Sequence, residues 1–139
     1  MTEGSPSASA DRIEAALGEI LPAGAAVAVW SGLPGGAQEA ESLLGPTERE
    51  AVRNAVPKRR IEFARGRHCA RAALVRAGWD RGFVEIPVGA ERQPVWPAGF
   101  TGSITHCDGL VAAVATRLGP NLTAIGLDAE PARPLPEDV

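Results

Sequence analysis

The dipeptide Asp108-Gly109 constrains the fold of this chain more than any other feature of its sequence. It separates two apolar segments of strand character, residues 102–107 and 110–116. An Asp-Gly pair between such segments is a strong signal for a two-residue turn that joins antiparallel strands. The spacing therefore predicts a β-hairpin centred on these two residues, and the rest of the fold has to accommodate it.

Helices and further strands are predicted on both sides of the hairpin. The hydrophobic pattern predicts helices over residues 10–20, from 46 to about 55, and over 58–77, and strands over 25–30, 84–88 and 122–130. A T-x-x-E capping box at Thr47–Glu50 marks the start of the second helix. Residues 31–42 are expected to form a loop. Helices mixed with short, partly antiparallel strands indicate an α+β or mixed α/β domain.

The composition narrows the class of protein. With 139 residues, 45% of them hydrophobic, the chain is long enough to bury a core without disulfides or metal ions. No apolar run reaches the roughly 18 residues of a membrane span, and the acidic, small-residue N-terminus does not resemble a secretory signal. Two cysteines, Cys69 and Cys107, are too few for a disulfide scaffold and indicate free thiols in a reducing compartment. We therefore expect a cytoplasmic protein with no membrane partner.

The net charge of −3 conceals a basic segment. Residues 48–81 contain ten arginines and lysines against four acids, and only one of the 14 basic residues in the chain is a lysine. Arginine holds phosphates through two-pronged hydrogen bonds, so this segment favours a phosphorylated ligand. A GC-rich coding bias together with a solvated helix face would explain the same composition. A nucleic-acid partner is not expected, because the rest of the chain is acidic and few aromatic residues are available for stacking.

Three arginines on the helix predicted over 58–77 are candidate phosphate ligands. Arg60, Arg67 and Arg71 are spaced i, i+7 and i+11, which places them within about 40° of one another around the helix axis. They could hold several phosphates, or they could form an exposed face with Glu62 and solvent as partners. The same helix carries an apolar stripe that can face a sheet: Phe63, Ala70, Leu74 and Ala77.

Other candidate residues lie at the ends of predicted strands. Asp128 and Glu130 alternate along a strand, which puts their carboxylates on one side about 7 Å apart, a spacing that suits Mg²⁺ but that is also common at an exposed strand end. His106 could be a general base, a phosphate donor or a hydrogen-bonded core residue. The pair His-Cys occurs at 68–69 and 106–107, and a zinc site is conceivable, although adjacent residues rarely ligate one tetrahedral ion. The chain contains no glycine-rich phosphate loop, so side chains would have to hold a phosphate.

Three stretches together resemble a known family. They are KRRIEFARGRHCARAAL (58–74), ERQPVWPAGFTGSITHCDGLVAAVA (91–115) and IGLDAEPARPLP (125–136). In this order and at this spacing they resemble the 4′-phosphopantetheinyl transferases of the enterobactin/surfactin-synthetase type, over about residues 43–136. The resemblance implies the N-terminal lobe of a pseudo-two-fold, two-lobed α+β fold, with helices packed on a short, mostly antiparallel sheet. It assigns residues 9–120 to the first lobe, and 121–139 to the first strand and linker of an incomplete second lobe. Residues 1–8 are small and polar, a composition that predicts a disordered tail.

The resemblance also implies a reaction and a site. Such enzymes transfer the 4′-phosphopantetheine arm of coenzyme A to a serine of an acyl or peptidyl carrier protein, use Mg²⁺, release adenosine 3′,5′-bisphosphate, and serve nonribosomal peptide, polyketide or siderophore synthesis. The implied contacts with coenzyme A come from five residues: Arg60, Arg67, Arg92, Thr105 and His106. Asp128 and Glu130 correspond to ligands of Mg²⁺ and, with His106, to catalytic positions.

The chain departs from the family's pattern in one respect. The family's second lobe carries a W-x-x-K-E-x-x-x-K-like helix, which supplies a further acid and a lysine, and nothing in this sequence matches that helix. An alternative function is therefore that of a truncated lobe, which binds coenzyme A without transferring the arm.

Overall fold

The computed structural model describes residues 24–31, 37–107 and 110–118, together with the isolated positions 12, 14–16, 19 and 21. Its elements are β1 (Ala26–Ser31), α1 (Ala37–Glu41), α2 (Pro46–Ala51), α3 (Pro57–Arg76), β2 (Phe100–Cys107) and β3 (Leu110–Arg117). The described positions between 12 and 19 have helical backbone, in agreement with the helix predicted over 10–20. The strand predicted over 122–130 lies outside the described residues.

The three strands form one antiparallel sheet in the order β1-β3-β2. Cys107 pairs with Leu110, so two residues separate the strands and the predicted hairpin is confirmed, although Asp108 and Gly109 themselves lie outside the described residues. β1 pairs with the other edge of β3, from Ala26 opposite Ala115 to Ser31 opposite Leu110. The α+β fold class, with helices packed on a short antiparallel sheet, is confirmed as well.

Helix α3 covers one face of this sheet and forms the main core with it. Alternate residues of β3 face the helix and pack against its buried side chains, which include Cys69, Ala70, Ala73 and Leu74. Gly66 lies where α3 is closest to β2, because a Cβ added there would be 2.9 Å from Ile104 Cγ2. Glycine in a helix interior costs about 1 kcal/mol relative to alanine, and here it permits close packing of the helix on the sheet.

The predicted apolar stripe of α3 is divided between two clusters. Ala70 and Leu74 belong to the core beneath the sheet, as expected. Phe63 belongs instead to a second cluster, in which α3 packs against α1 and α2 through Ala40, Leu44, Val52 and Ala64. The stripe therefore packs on one side against the sheet and on the other against α1 and α2, which lie beside α3.

Two predicted boundaries around α1 and α2 are wrong. Residues 37–41 were expected to be loop but form α1, whose Ala40 is buried against α3. The N-cap of α2 is Gly45 and not Thr47, because Glu48 Oε1 accepts the Gly45 N–H at 3.0 Å, and the helix ends at Ala51. By contrast, α3 begins and ends one residue before the predicted limits, with Pro57 in its first turn.

The prediction of a strand over residues 84–88 is also wrong. This segment, which we call the strap, belongs to no strand and forms only one isolated bridge, between Val88 and Pro94. Side chains take the place of a neighbouring strand. Glu48 accepts the Ile86 N–H at 2.6 Å, and Arg67 and Arg71 donate to the carbonyls of Ile86 and Val84. The hydrophobic pattern of a strand is thus present without the ladder, since helical side chains satisfy the backbone.

The strap is fixed to α2 from its own side by Glu85. Its Oε2 accepts the N–H groups of Thr47 and Glu48 at 2.7 and 3.2 Å, at the N-terminus of α2. Partial burial acts to raise the pKa of the Glu85 carboxyl, but these hydrogen bonds and the charge of Arg71 outweigh it, so the pKa lies below its ordinary value of 4.5. Glu85 therefore stabilises the fold in its ionised form.

We expect this contribution to disappear in acid. Because the pKa of Glu85 is lower in the folded state, its stabilisation is present above the ordinary value of 4.5 and is lost as the pH falls through the folded value. Wild-type protein should lose more stability on acidification from pH 6 to pH 3 than Glu85→Gln, as measured by urea unfolding at each pH. Glu50→Gln, which removes an exposed carboxylate from the same helix, should follow the wild type. Identical losses in wild type and Glu85→Gln would contradict the assignment.

Candidate functional site

The structure shows that Arg71, one of the three arginines spaced i, i+7 and i+11 along α3, has a structural role. Its Nη1 lies 2.7 Å from Glu48 Oε2, and its Nη2 donates to the Leu43 carbonyl at 2.5 Å. The side chains of Arg71 and Glu48 are 12% and 0% exposed. The alternative of an exposed face, with Glu62 and solvent as partners, is therefore wrong for Arg71, because the buried Glu48 is its counterion.

Arg67 is also buried and directed along the strap. Its Nε donates to the Ile86 carbonyl at 2.7 Å, and its guanidinium carbon lies 4.2 Å from the centre of the Phe63 ring. Burial lowers the pKa of Arg67 to about 10, with Arg71 and Arg59 acting in the same direction and Glu48 in the opposite one. The guanidinium thus remains cationic at neutral pH. Its contact with coenzyme A stays a prediction.

The remaining predicted arginines differ from each other in their surroundings. Arg60 Nε lies 2.6 Å from Glu41 Oε2, although its N–H is not directed at that oxygen, and Nη1 donates weakly to the Ala55 carbonyl at 3.5 Å. Arg92 is exposed in a tight turn after the strap, with a left-handed φ of 70°. The turn is closed by hydrogen bonds between Gly89 and Gln93 and between Arg92 and Gly89. Arg92 is thus presented to solvent, whereas Arg60 is held beside α1.

Thr105 and His106 project from opposite faces of β2. His106 is opposite Val111, a residue of the core beneath α3, whereas Thr105 is opposite Ala112 on the other face. Thr105 is buried and His106 is exposed. The structure therefore does not bring together the two side chains that the resemblance assigned to coenzyme A phosphates. A ligand on the α3 side of the sheet meets His106.

A cavity of about 370 Å³ opens beside His106, between the first half of α3 and the strand ends of the hairpin. Its lining combines charged and apolar side chains: Lys58, Ile61, Glu62, Arg65, His106, Leu110 and Val111. His106 Nδ1 lies 3.7 Å from Glu62 Oε1 across this space. The arginine spacing along the sequence indicated Arg60, Arg67 and Arg71 and did not identify Lys58 and Arg65 as neighbours of His106. The i, i+7 spacing of Lys58 and Arg65, with Glu62 between them, could have indicated that all three share one face of the helix.

The described residues hold no group of three or more histidine, cysteine, aspartate or glutamate side chains that could bind a metal ion. The His-Cys pair at 68–69 illustrates this. Cys69 is buried against Val111, and burial raises the pKa of its thiol to about 12, while His68 is exposed with its ring edge-on to Trp30. The predicted magnesium ligands, Asp128 and Glu130, lie outside the described residues.

Comparison with known families identifies the domain that contains this cavity. The family described as "4′-phosphopantetheinyl transferase N-terminal domain" matches residues 47–116, half of the chain, from the start of α2 almost to the end of β3. The chain belongs to the 4′-phosphopantetheinyl transferase family. The match includes α3, the strap and the hairpin, and hence Arg60, Arg67, Arg92, Thr105 and His106.

Two of the curated proteins that are similar to this chain are described as 4′-phosphopantetheinyl transferases. It is 43% identical over 115 residues to the 4′-phosphopantetheinyl transferase Npt of Nocardia iowensis, covering 77% of this chain and 50% of that protein. It is 47% identical over 98 residues to the 4′-phosphopantetheinyl transferase Svp of Streptomyces mobaraensis, covering 70% of this chain and 39% of Svp. Enterobactin synthase component D of Salmonella typhi is 36% identical over 89 residues. The chain thus spans half or less of the length of these curated relatives.

Within the part of the chain that the structure describes, no helix is both long enough and apolar enough to cross a membrane. The longest of the described helices, α3, carries arginines along its whole length.

Proposed function

We propose that this chain supplies the coenzyme A-binding lobe of a magnesium-dependent 4′-phosphopantetheinyl transferase. The observation that carries the proposal is the family match over residues 47–116, within which His106 adjoins a cavity lined by Lys58 and Arg65. Cationic donors around a water-accessible cavity suit a diphosphate, whose charge they can neutralise. The relatives Npt and Svp are described as 4′-phosphopantetheinyl transferases, which supports the same reaction for the whole protein.

In the proposed reaction a carrier-protein serine attacks the phosphorus that bears the pantetheine arm. A bond forms between the serine oxygen and phosphorus, the serine proton passes to a base, and the bond to adenosine 3′,5′-bisphosphate breaks. Lys58 and Arg65 would hold oxygens of the diphosphate, and His106 would donate to the phosphate or accept a proton beside it. The carrier protein's acidic helix would be attracted to the basic segment 48–81.

Asp128 and Glu130 are the residues that we propose for Mg²⁺. In the predicted strand their carboxylates would share one side and would provide the hard oxygen ligands that this ion takes together with phosphate oxygens and water. Magnesium bound there would neutralise charge on the diphosphate during in-line attack. Lys58 and Arg65, which line the cavity beside His106, would also hold the diphosphate.

A transfer assay tests the proposed reaction. The chain is incubated with coenzyme A, Mg²⁺ and an apo carrier protein, and the carrier is weighed by mass spectrometry. We expect a gain of one phosphopantetheine arm on the carrier serine, and none when the serine is replaced by alanine. Equal gain without the chain would contradict transferase activity.

The alternative function is binding of coenzyme A without transfer. The chain covers only 50% and 39% of the two transferases to which it is 43% and 47% identical. The sequence also lacks the second-lobe helix with its acid and lysine. Under this alternative, the chain binds coenzyme A but leaves the carrier mass unchanged. The two functions are thus separated by running the binding and transfer measurements on the same preparation.

A further inference from the structure

Glu62 and His106 meet although they lie 44 positions apart on different elements. Glu62 is on the first half of α3, His106 is near the end of β2, and Glu62 Oε1 is 3.7 Å from His106 Nδ1. Their side chains are 29% and 42% exposed, so water screens the pair only in part. Glu62 is the single carboxylate among the described residues that line the cavity.

Glu62 has two cationic neighbours on its own helix, but its carboxylate contacts His106 on the facing strand. Lys58 precedes it by four residues and Arg65 follows it by three, and both line the same cavity. A lysine four residues before a glutamate is the weaker helical orientation for an ion pair. The carboxylate lies instead within ion-pair range of His106, on the facing strand. It thereby offsets the repulsion that two neighbouring cations would exert on a protonated imidazole.

The geometry determines which ring nitrogen serves the cavity. A carboxylate beside Nδ1 favours a proton on that nitrogen, whether the ring is neutral or charged. Nε2 is then directed away from Glu62, as a lone pair that accepts a proton or as an N–H that donates to a phosphate oxygen. The distance of 3.7 Å exceeds a hydrogen bond, and such contacts commonly tighten when a ligand binds.

We propose that Glu62 is a positioning residue for His106. It holds the imidazole by Nδ1 and leaves Nε2 for the ligand in the cavity. The consequence for coenzyme A rests on the proposed function, but the contact itself does not. Neither the family resemblance nor the arginine pattern assigned a role to Glu62 beyond partnering surface arginines.

Nitrogen NMR of the imidazole rings tests the contact without any ligand. The chain has only two histidines, so His68 serves as an internal control in every spectrum. In wild-type protein at a pH where the rings are neutral, we expect His106 to carry its proton on Nδ1. Glu62→Ala should shift His106 toward the Nε2-protonated tautomer and leave His68 unchanged. An unchanged His106 tautomer in folded Glu62→Ala would overturn the proposal. Glu50→Ala, an exposed carboxylate on α2, is the matched control.

A double-mutant cycle on coenzyme A affinity tests the consequence. Glu62→Gln should weaken binding by about threefold in the wild-type background, the size of a partly exposed ion pair. In the His106→Ala background, the same change only removes repulsion between a carboxylate and phosphates, so binding should tighten. Equal effects in both backgrounds would show that Glu62 does not act through His106 and would overturn the proposal. If wild-type protein binds no coenzyme A, the proposed function fails, and the tautomer measurement still decides the role of Glu62.

Discussion

Replacement of Glu48 by alanine is expected to lower the free energy of unfolding by about 3–5 kcal/mol, because it leaves a buried cation without its counterion. Glu48 is 0% exposed, and its two oxygens accept from three groups: the Gly45 N–H, the Ile86 N–H and Arg71 Nη1. The variant therefore loosens α2, the strap and α3 together. A domain is stable by only about 5–15 kcal/mol, so this loss is a large part of the total.

Urea unfolding of the wild type and two variants measures this effect. Glu50→Ala removes a carboxylate from the same helix, but its pair with Arg53 is exposed, so its change should stay within about 0.5 kcal/mol. Glu48→Gln, which keeps the side-chain volume, should lie between the wild type and Glu48→Ala. A loss below 1 kcal/mol for Glu48→Ala would mean that the buried pair does not hold the strap in place.

Replacement of Asp128 by alanine is expected to abolish the effect of magnesium on phosphopantetheine transfer and on coenzyme A affinity. Under the proposed function, Asp128 is one of two carboxylates that hold the ion against the diphosphate. Loss of groups that merely support a metal ligand costs about 10–100-fold, so loss of the ligand itself should slow transfer at least about a hundredfold. Magnesium should likewise tighten coenzyme A binding by wild-type protein but not by Asp128→Ala.

The binding measurement keeps this prediction testable even where the chain transfers nothing. Without magnesium, wild type and Asp128→Ala should bind coenzyme A equally, because the carboxylate has no ion to hold. Asp80→Ala removes an exposed acid after α3 and should retain the full response to magnesium. A magnesium response of wild-type size in Asp128→Ala would refute the metal assignment.

The sequence predicted those parts of the fold that local patterns determine. Asp108-Gly109 predicted the β2–β3 hairpin, and Pro57 and Gly78 delimit α3 to within a residue. In each case the signal lies in the backbone preferences of the residues themselves. Such preferences act in the unfolded chain as well, so no knowledge of distant contacts is needed.

The strap could not be predicted in this way. Residues 84–88 alternate like a strand, but their backbone groups bond to side chains more than ten positions away, on α2 and α3. Glu48 provides one of these bonds, and nothing in its sequence neighbourhood distinguishes it from the exposed Glu50. Tertiary contacts thus override the local pattern.

The candidate site was predicted only in part, for the same reason. Helical spacing correctly placed Arg67 and Arg71 on neighbouring positions of α3, but it could not show that both point into the protein. His106 was identified by resemblance, whereas its neighbours Lys58, Glu62 and Arg65 emerged only from the packing of α3 against the hairpin. Spacing along one element does not show which residue of another element faces it.

Titration of coenzyme A into the chain is the most direct test of the proposed function. We expect saturable binding of one coenzyme A per chain, with affinity reduced about tenfold in His106→Ala, the loss expected for a hydrogen bond to a charged group. His68→Ala, which changes the other histidine of the chain, should bind like the wild type. Absence of binding by the wild type, or equal affinity of wild type and His106→Ala, would contradict the assignment of this cavity to coenzyme A.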